Sequence, residues 1–228
     1  MRHAFVSARL RSFGLGLLAV ILFALSVTGC VRLLEPRQSD ATYYLLTPPK
    51  NEFSSPTDAT GLAVGLRQPR MASYLTATRI VTRRGPHTIR FSEFHRWAED
   101  LSRGINRTVA LALAERSGIQ RVETVPWSKG ATFDYVVQLQ VLAFEGRAPP
   151  ADPKADENAP APKGHSQMTV QWTILRPEAD TVLARGHTQE QMKGWRVGDY
   201  AALASRLERS LDSLATDVGA RLDVLARR

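Results

Sequence analysis

From Tyr200 onward the chain places Leu203, Leu207, Leu211, Leu214, Val218, Leu222 and Leu225 at steps of three and four. That spacing collects apolar side chains on one face of an α-helix. Asp199 stands where the N-cap of such a helix belongs. At 1.5 Å per residue the stripe runs about 38 Å. Each large side chain it buries is worth about 1.5–3 kcal/mol, so the stripe must be covered. The sheet of its own domain is the first cover to expect, and a coiled coil with another chain is the alternative.

The sheet is legible upstream. Tyr43 to Leu46 (YYLL) reads as a strand that stops at Pro48-Pro49. GLAVGL, 61–66, reads as a second strand. RIVTR (79–83), Arg84-Gly85-Pro86 and HTIRF (87–91) read as a hairpin. A helix is expected from about Trp97 to Ser117, with Leu101, Ile105, Val109 and Ala112 on one face and Gly118 as its C-cap. Residues 134–144 alternate, aligning Tyr135, Val137, Leu139, Val141 and Ala143. Residues 166–175 alternate with Met168, Val170, Trp172 and Ile174 inward and Gln167, Thr169, Gln171 and Thr173 outward. A strand near 181–192 pairs with the latter. Between them, residues 146–164 hold five prolines and read as a mobile loop. The class expected is α+β, a mixed α/β two-layer sandwich of a β-sheet and two main helices, the second being the long C-terminal amphipathic one.

The other end of the chain carries an address. Arg2, Arg9 and Arg11 precede an apolar run from Phe13 to Val27, and Thr28-Gly29-Cys30 follows. A basic start, a short apolar run and small residues describe a secretory signal peptide. The run falls short of the roughly 20 residues a membrane-crossing helix needs. Val27-Thr28-Gly29-Cys30 resembles the bacterial lipobox, in which the thiol takes the diacylglycerol and the small residues admit the peptidase. Cys30 is the single cysteine of the chain. A lone cysteine has no intramolecular partner in an oxidising compartment, and lipidation explains it. The expected organisation is a cleaved signal peptide over 1–29, a lipidated tether over 30–42 and one domain over 43–228. Val31 is not the aspartate that retains lipoproteins of this kind in the inner membrane. The resemblance to the lipobox therefore implies the outer membrane of a Gram-negative bacterium, with the protein facing the periplasm.

Apolar residues make up 43 % of the chain, enough for a real core. The formal charge is +8, and residues 67–107 hold nine arginines against Glu93, Glu99 and Asp100. Such a stretch suits an anionic partner; export argues against nucleic acid and leaves anionic lipid head groups or solvated surface arginines. No phosphate loop, nucleophile elbow or zinc-protease motif is present. The stretch FSEFHRWAEDL, 91–101, is expected to put His95, Arg96, Trp97 and Glu99 at the start of a helix. A base role for His95 oriented by Glu99 would need a nucleophile or electrophile, and none is identifiable. The chain reads as a non-enzyme, with no cofactor beyond the covalent lipid on Cys30.

The order of these pieces resembles one family. A lipobox, Tyr43-Tyr44-Leu45-Leu46 before proline, Tyr74-Leu75, Ile80-Val81-Thr82-Arg83, His95-Arg96-Trp97-Ala98-Glu99 with Leu101, and a long C-terminal helix are similar to the PqiC family. Its members are auxiliary outer-membrane lipoproteins of ABC-type, MCE-protein transport systems. Two departures stand out: Thr76-Ala77-Thr78-Arg79 precede Ile80, where Asp-Arg-Pro-Gln is common after the Tyr-Leu, and Asp100 occupies a usual proline position. The resemblance implies a docking or structural accessory subunit of an intermembrane lipid transport complex, partnered by an MCE-domain protein and its ABC permease, and homo-oligomerisation. Candidate docking residues are Tyr43, Tyr44, Tyr74, Arg83, Arg96, Trp97 and Glu99. A stand-alone lipid- or small-molecule-binding lipoprotein is the alternative.

Overall fold

A computed structural model describes residues 40–46, 61–150 and 159–227; the leader, Cys30 and nearly all of the tether lie outside them. The folded unit begins at Ala41. In chain order its strands are β1 (Thr42–Tyr44), β2 (Leu62–Leu66), β3 (Arg70–Met71), β4 (Arg79–Arg84) and β5 (Thr88–Trp97), then β6 (Ile119–Thr124), β7 (Tyr135–Ala148), β8 (Lys163–Arg176) and β9 (Thr181–Arg196). A 3-10 turn covers Ser73–Leu75, and the helices are α1 (Leu101–Ala114) and α2 (Tyr200–Ala226). This is a mixed sheet with two helices, an α+β fold.

β7 holds the sheet together. Along one edge it pairs antiparallel with β8 from Val136 to Arg147, and β8 pairs antiparallel with β9. The other edge is shared by three parallel neighbours in turn: β2 at Val64–Leu66, β3 at Arg70–Met71 and β4 at Thr82–Arg84. β2 carries β6 outward, and β4 carries β5 and then β1. The sheet is therefore a single ladder on one side of β7 and forked on the other.

The alternation expected over β7 holds only to Val141. The register slips between Val141 and Ala143, so Leu142 is the extra residue of a β-bulge. Beyond it Phe144 pairs with Met168 on the core face, and Ala143 pairs with Thr169 on the opposite one. One inserted residue inverts every later side chain of a period-two strand. Phe144 and Met168 are buried as a result, and Glu145 is turned to the other face. The ladder also reaches Arg147 opposite His165, so the connection read as a loop over 146–164 is narrower, 149–162. Residues 151–158 of it lie outside those described.

β6 and β3 carry no sequence signal of their own. β6 forms as the parallel partner of β2 and is aligned from Ile119 to Thr124. The hairpin of β4 and β5 turns at Gly85, whose φ of +70° suits glycine.

The first helix starts later than its apolar pattern suggests. Residues up to Trp97 stay in β5, because β1 pairs with His95–Trp97 along one side while Arg79 of β4 pairs with Arg96 on the other. The helix begins only where Asp100 can cap it, its Oδ1 accepting from the Arg103 N–H at 3.1 Å. His95, Arg96 and Trp97 are thus strand residues and Glu99 precedes the helix. Leu101, Ile105, Val109 and Leu113 form the buried stripe. The helix ends at Ala114 with Glu115 as C-cap, ahead of Gly118.

α2 follows the sequence closely. Asp199 caps it, with Oδ1 accepting from the Ala202 N–H at 3.0 Å. Leu203, Leu207, Leu211, Leu214, Val218 and Leu222 are all buried. They lie against β7, β8, β9 and α1, so the chain's own fold covers the stripe. Thr188 of β9 donates to Asp217 of α2 at 2.6 Å. Trp195 is wholly buried beneath the N-terminal end of α2, with its indole N–H donated to the Asp199 carbonyl at 2.8 Å. It lies over Gly146, where a Cβ would come within 2.6 Å of the indole.

The Asp100 cap gives a stability prediction. The Ser102 hydroxyl and the Arg103 N–H donate to its carboxylate and hold its pKa below the ordinary aspartate value. The carboxylate's contribution is present above the unfolded value of about 3.9 and is lost as pH falls through the lower folded value. Asp100→Ala is expected to cost about 1 kcal/mol at neutral pH. Chemical denaturation across a pH series should show the gap between variant and wild type closing below about pH 4.

Candidate functional site

The two faces of the β7–β8–β9 ladder differ sharply. Val141, Phe144, Met168, Val170 and Ile174 pack under α2. The face turned away presents Gln138, Gln140 and Thr169, with Gln171, Thr173 and Gln189 beside them, all at least partly exposed. A sheet with one polar face has a surface to offer.

Set into that face is a buried ion pair. The bulge that turns Phe144 inward leaves Glu145 pointing outward, yet Glu145 is 0 % exposed. Arg83 of β4 covers it, with Nε 2.6 Å from Oε1 and Nη2 3.3 Å from Oε2. The paired N–H donors of a guanidinium match the two carboxylate oxygens. Arg147 Nε also approaches Oε1 at 3.3 Å. Tyr74, from the 3-10 turn, lies beneath the Arg83 guanidinium with its ring centroid 5.6 Å away. Its hydroxyl donates to the Leu142 carbonyl at 3.0 Å, the carbonyl of the bulge residue itself. Burial, aided by the Glu145 carboxylate, pushes the Tyr74 hydroxyl pKa up to about 12. The hydroxyl therefore keeps its proton at any physiological pH.

A second group lies at the β1–β5 edge. Tyr44 Oη is 2.9 Å from His95 Nδ1, and the His95 ring stacks on Tyr200 at 4.2 Å between centroids. Burial, followed by the nearby Asp199 charge, raises the Tyr44 pKa. Tyr43 is 57 % exposed and pairs in register with Arg96, which pairs in turn with Arg79. Leu45 and Phe94 are exposed close by in sequence. Trp97 is only 4 % exposed and tilts against Phe144 at 5.9 Å. Glu99 clasps Arg107 at 2.6 and 2.9 Å, and Arg107 also donates to the Leu46 carbonyl at 3.1 Å.

The candidate docking residues therefore divide by role. Trp97 packs in the core, and Glu99 with Arg107 fastens the first strand segment to α1. Tyr44 belongs to an aromatic stack. Tyr74 and Arg83 meet over Glu145, while Tyr43 is exposed at the sheet edge and Arg96 is half-buried between Tyr43 and Arg79. Cys30 lies outside the described residues. Sequence reasoning missed Glu145 and Arg147. Their one signal was charge inside an alternating strand, which becomes informative only once the bulge and the β4 neighbour are known. His95 is engaged by Tyr44 and Tyr200, and its backbone N–H donates to the Ser92 hydroxyl at 3.0 Å.

A family model for the ABC-type transport auxiliary lipoprotein component matches residues 43–219. No curated protein matches the sequence. A crystal structure of a Xanthomonas campestris protein of the DUF330 family superposes with a TM-score of 0.63 at 17 % identity, covering 82 % of this chain and 97 % of that one. A crystal structure of an uncharacterized protein superposes with a TM-score of 0.60 at 14 % identity, covering 80 % and 98 %. At such identities the superpositions establish a shared fold and nothing finer.

Removing one member of a buried, hydrogen-bonded ion pair strands the other charge. Glu145→Ala should therefore destabilise the protein by about 3 kcal/mol. Tyr74→Phe, which deletes one hydrogen bond to the bulge carbonyl, should cost about 1 kcal/mol. Denaturant titration of both variants checks the ordering. Equal midpoints for wild type and Glu145→Ala would mean that the pair does not hold the β4 arm.

Proposed function

The chain belongs to the ABC-type transport auxiliary lipoprotein component family, and from that membership we propose that it is an outer-membrane lipoprotein serving as a docking and structural accessory subunit of an MCE-type intermembrane lipid transport complex. Cys30 carries the lipid, and the folded unit faces the periplasm. Its partners are an MCE-domain protein with its ABC permease, and further copies of itself.

The observation that carries this reading over a stand-alone lipid carrier is the filled interface between sheet and helices. Trp195, Phe144, Leu139, Met168, Leu203 and Leu207 occupy it and are essentially inaccessible. A carrier needs an apolar pocket, of about 300–1,000 Å³ for a small ligand, whereas the cleft of about 600 Å³ beside α1 is lined mainly by polar side chains, Gln68, Arg103, Asn106, Arg107 and Thr124. The surface available for contact includes the broad polar face and the exposed Tyr43 and Phe94 of β1 and β5. That is the profile of a component that touches other proteins. A non-enzymatic role accords with the engagement of His95 in an aromatic stack.

Two experiments test the reading. Tagged full-length protein, solubilised gently from native envelopes, should co-purify with an MCE-domain protein; recovery of the lipoprotein alone, despite crosslinking, would favour the stand-alone carrier. Cys30→Ala should yield a folded protein that no longer complements a deletion strain. Complementation equal to wild type would remove the anchor from the function.

A further inference from the structure

The sheet register places four basic side chains in one line. Arg83 of β4 pairs with Arg147 of β7, Arg147 with His165 of β8, and His165 with Lys193 of β9. At a strand spacing of about 4.8 Å the row spans about 14 Å. All four lie on the face turned from α2, since the residues next to them, Gly146 and Ser166, face Trp195 and the core. Lys163, at the start of β8, adds a fifth basic group. Arg83, Arg147, Lys163 and His165 together line a surface cleft of about 460 Å³, closed at one side by the Gly85-Pro86 turn.

This arrangement is electrostatically costly by itself. Like charges directly opposite one another across a ladder destabilise a sheet. Among the described residues of the row, four fixed cations, Arg83, Arg147, Lys163 and Lys193, stand against one carboxylate, Glu145, on which Arg83 spans both oxygens and Arg147 Nε leans at 3.3 Å. Lys163 and Lys193 are exposed. Desolvation first, then the charges of Arg147 and Lys193, depress the His165 pKa and favour its neutral ring. A local conflict of this kind, kept inside an otherwise consistent fold, is what a functional site shows, and a bound anion would relieve it.

We propose that this cleft binds a phosphate group, with the guanidinium of Arg147 as its directional donor, Lys163 and Lys193 as flanking charge and the neutral His165 ring as a further hydrogen-bond donor. The guanidinium fork suits tetrahedral oxyanions, and an ammonium serves as a mobile point charge beside it. The bound anion separates the cations of the row and neutralises them. The cleft admits a compact head group. The phosphate comes either from a phospholipid head group or from a small soluble phosphate, and the chemistry of recognition is the same. This inference stands apart from the transport-complex reading, because phosphate binding is measured without any partner protein.

The test uses purified full-length protein in a non-ionic detergent, titrated calorimetrically with inorganic phosphate and with dihexanoyl phosphatidylglycerol at constant ionic strength. Saturable binding of either probe is expected, weakened at least tenfold in the double variant Lys163→Gln/Lys193→Gln. That variant leaves the Arg83–Glu145 pair intact and so should fold normally, as circular dichroism would check. Lys129→Gln, on a loop away from the row, should bind like wild type. Tighter binding of the lipid than of inorganic phosphate identifies the head group as the source; the reverse order identifies a soluble phosphate. Absence of binding by both probes overturns the proposal, as does binding that the double variant leaves unchanged. Poly-glutamate binding more tightly than either probe, and lost in the double variant, would replace it with an acidic protein partner.

Discussion

The fold depends on β7 using both of its edges in different ways. One edge is spent on a single long antiparallel ladder with β8, the other on three parallel neighbours that arrive from separate parts of the chain. Antiparallel neighbours joined by a short connection form from local sequence, whereas parallel ones must close long loops first. The ladder of β7, β8 and β9, clamped by the leucine stripe of α2, is thus a platform onto which the forked arms are fastened. The fork leaves β1 and β6 as sheet ends and carries Tyr43 to one extremity of the sheet.

The bulge at Leu142 decides what each face contains. Without the extra residue, Phe144 would leave the core and Glu145 would enter it. With it, the strand delivers an aromatic ring to α2 and a carboxylate to the far side. The far side then needs a cation, and the register of β4 supplies Arg83. Tyr74 secures the bulge from above through its bond to the Leu142 carbonyl. A single inserted residue therefore links the hydrophobic core to the charged features of the open face.

Those charged features share an origin. Arg83, Arg147, His165 and Lys193 are far apart in the chain and are aligned by strand pairing alone. The same pairing brings Tyr43 beside Arg96 and Arg79 at the arm's edge. The helix-covered face, by contrast, is occupied by residues whose burial is complete. The described residues thus divide into a solid interior under the helices and an open polar face opposite.

Much of this was written in local pattern. The spacing from Leu203 to Leu225 and the cap at Asp199 determined α2, because a helix repeats every 3.6 residues and is visible within any one segment. The alternation from Met168 to Ile174 determined the two faces of β8 for the same local reason, and the ordered short motifs from Tyr43 to Leu101 pointed to the family. Pairing decided the rest. Nothing in residues 91–97 distinguishes a helix start from a strand end; β1 and β4, lying on either side, make it a strand. The bulge at Leu142, the existence of β6 and the meeting of Arg83 with Glu145 arise from hydrogen-bond register between distant segments. Register is a relation between strands, and no single stretch of sequence contains it.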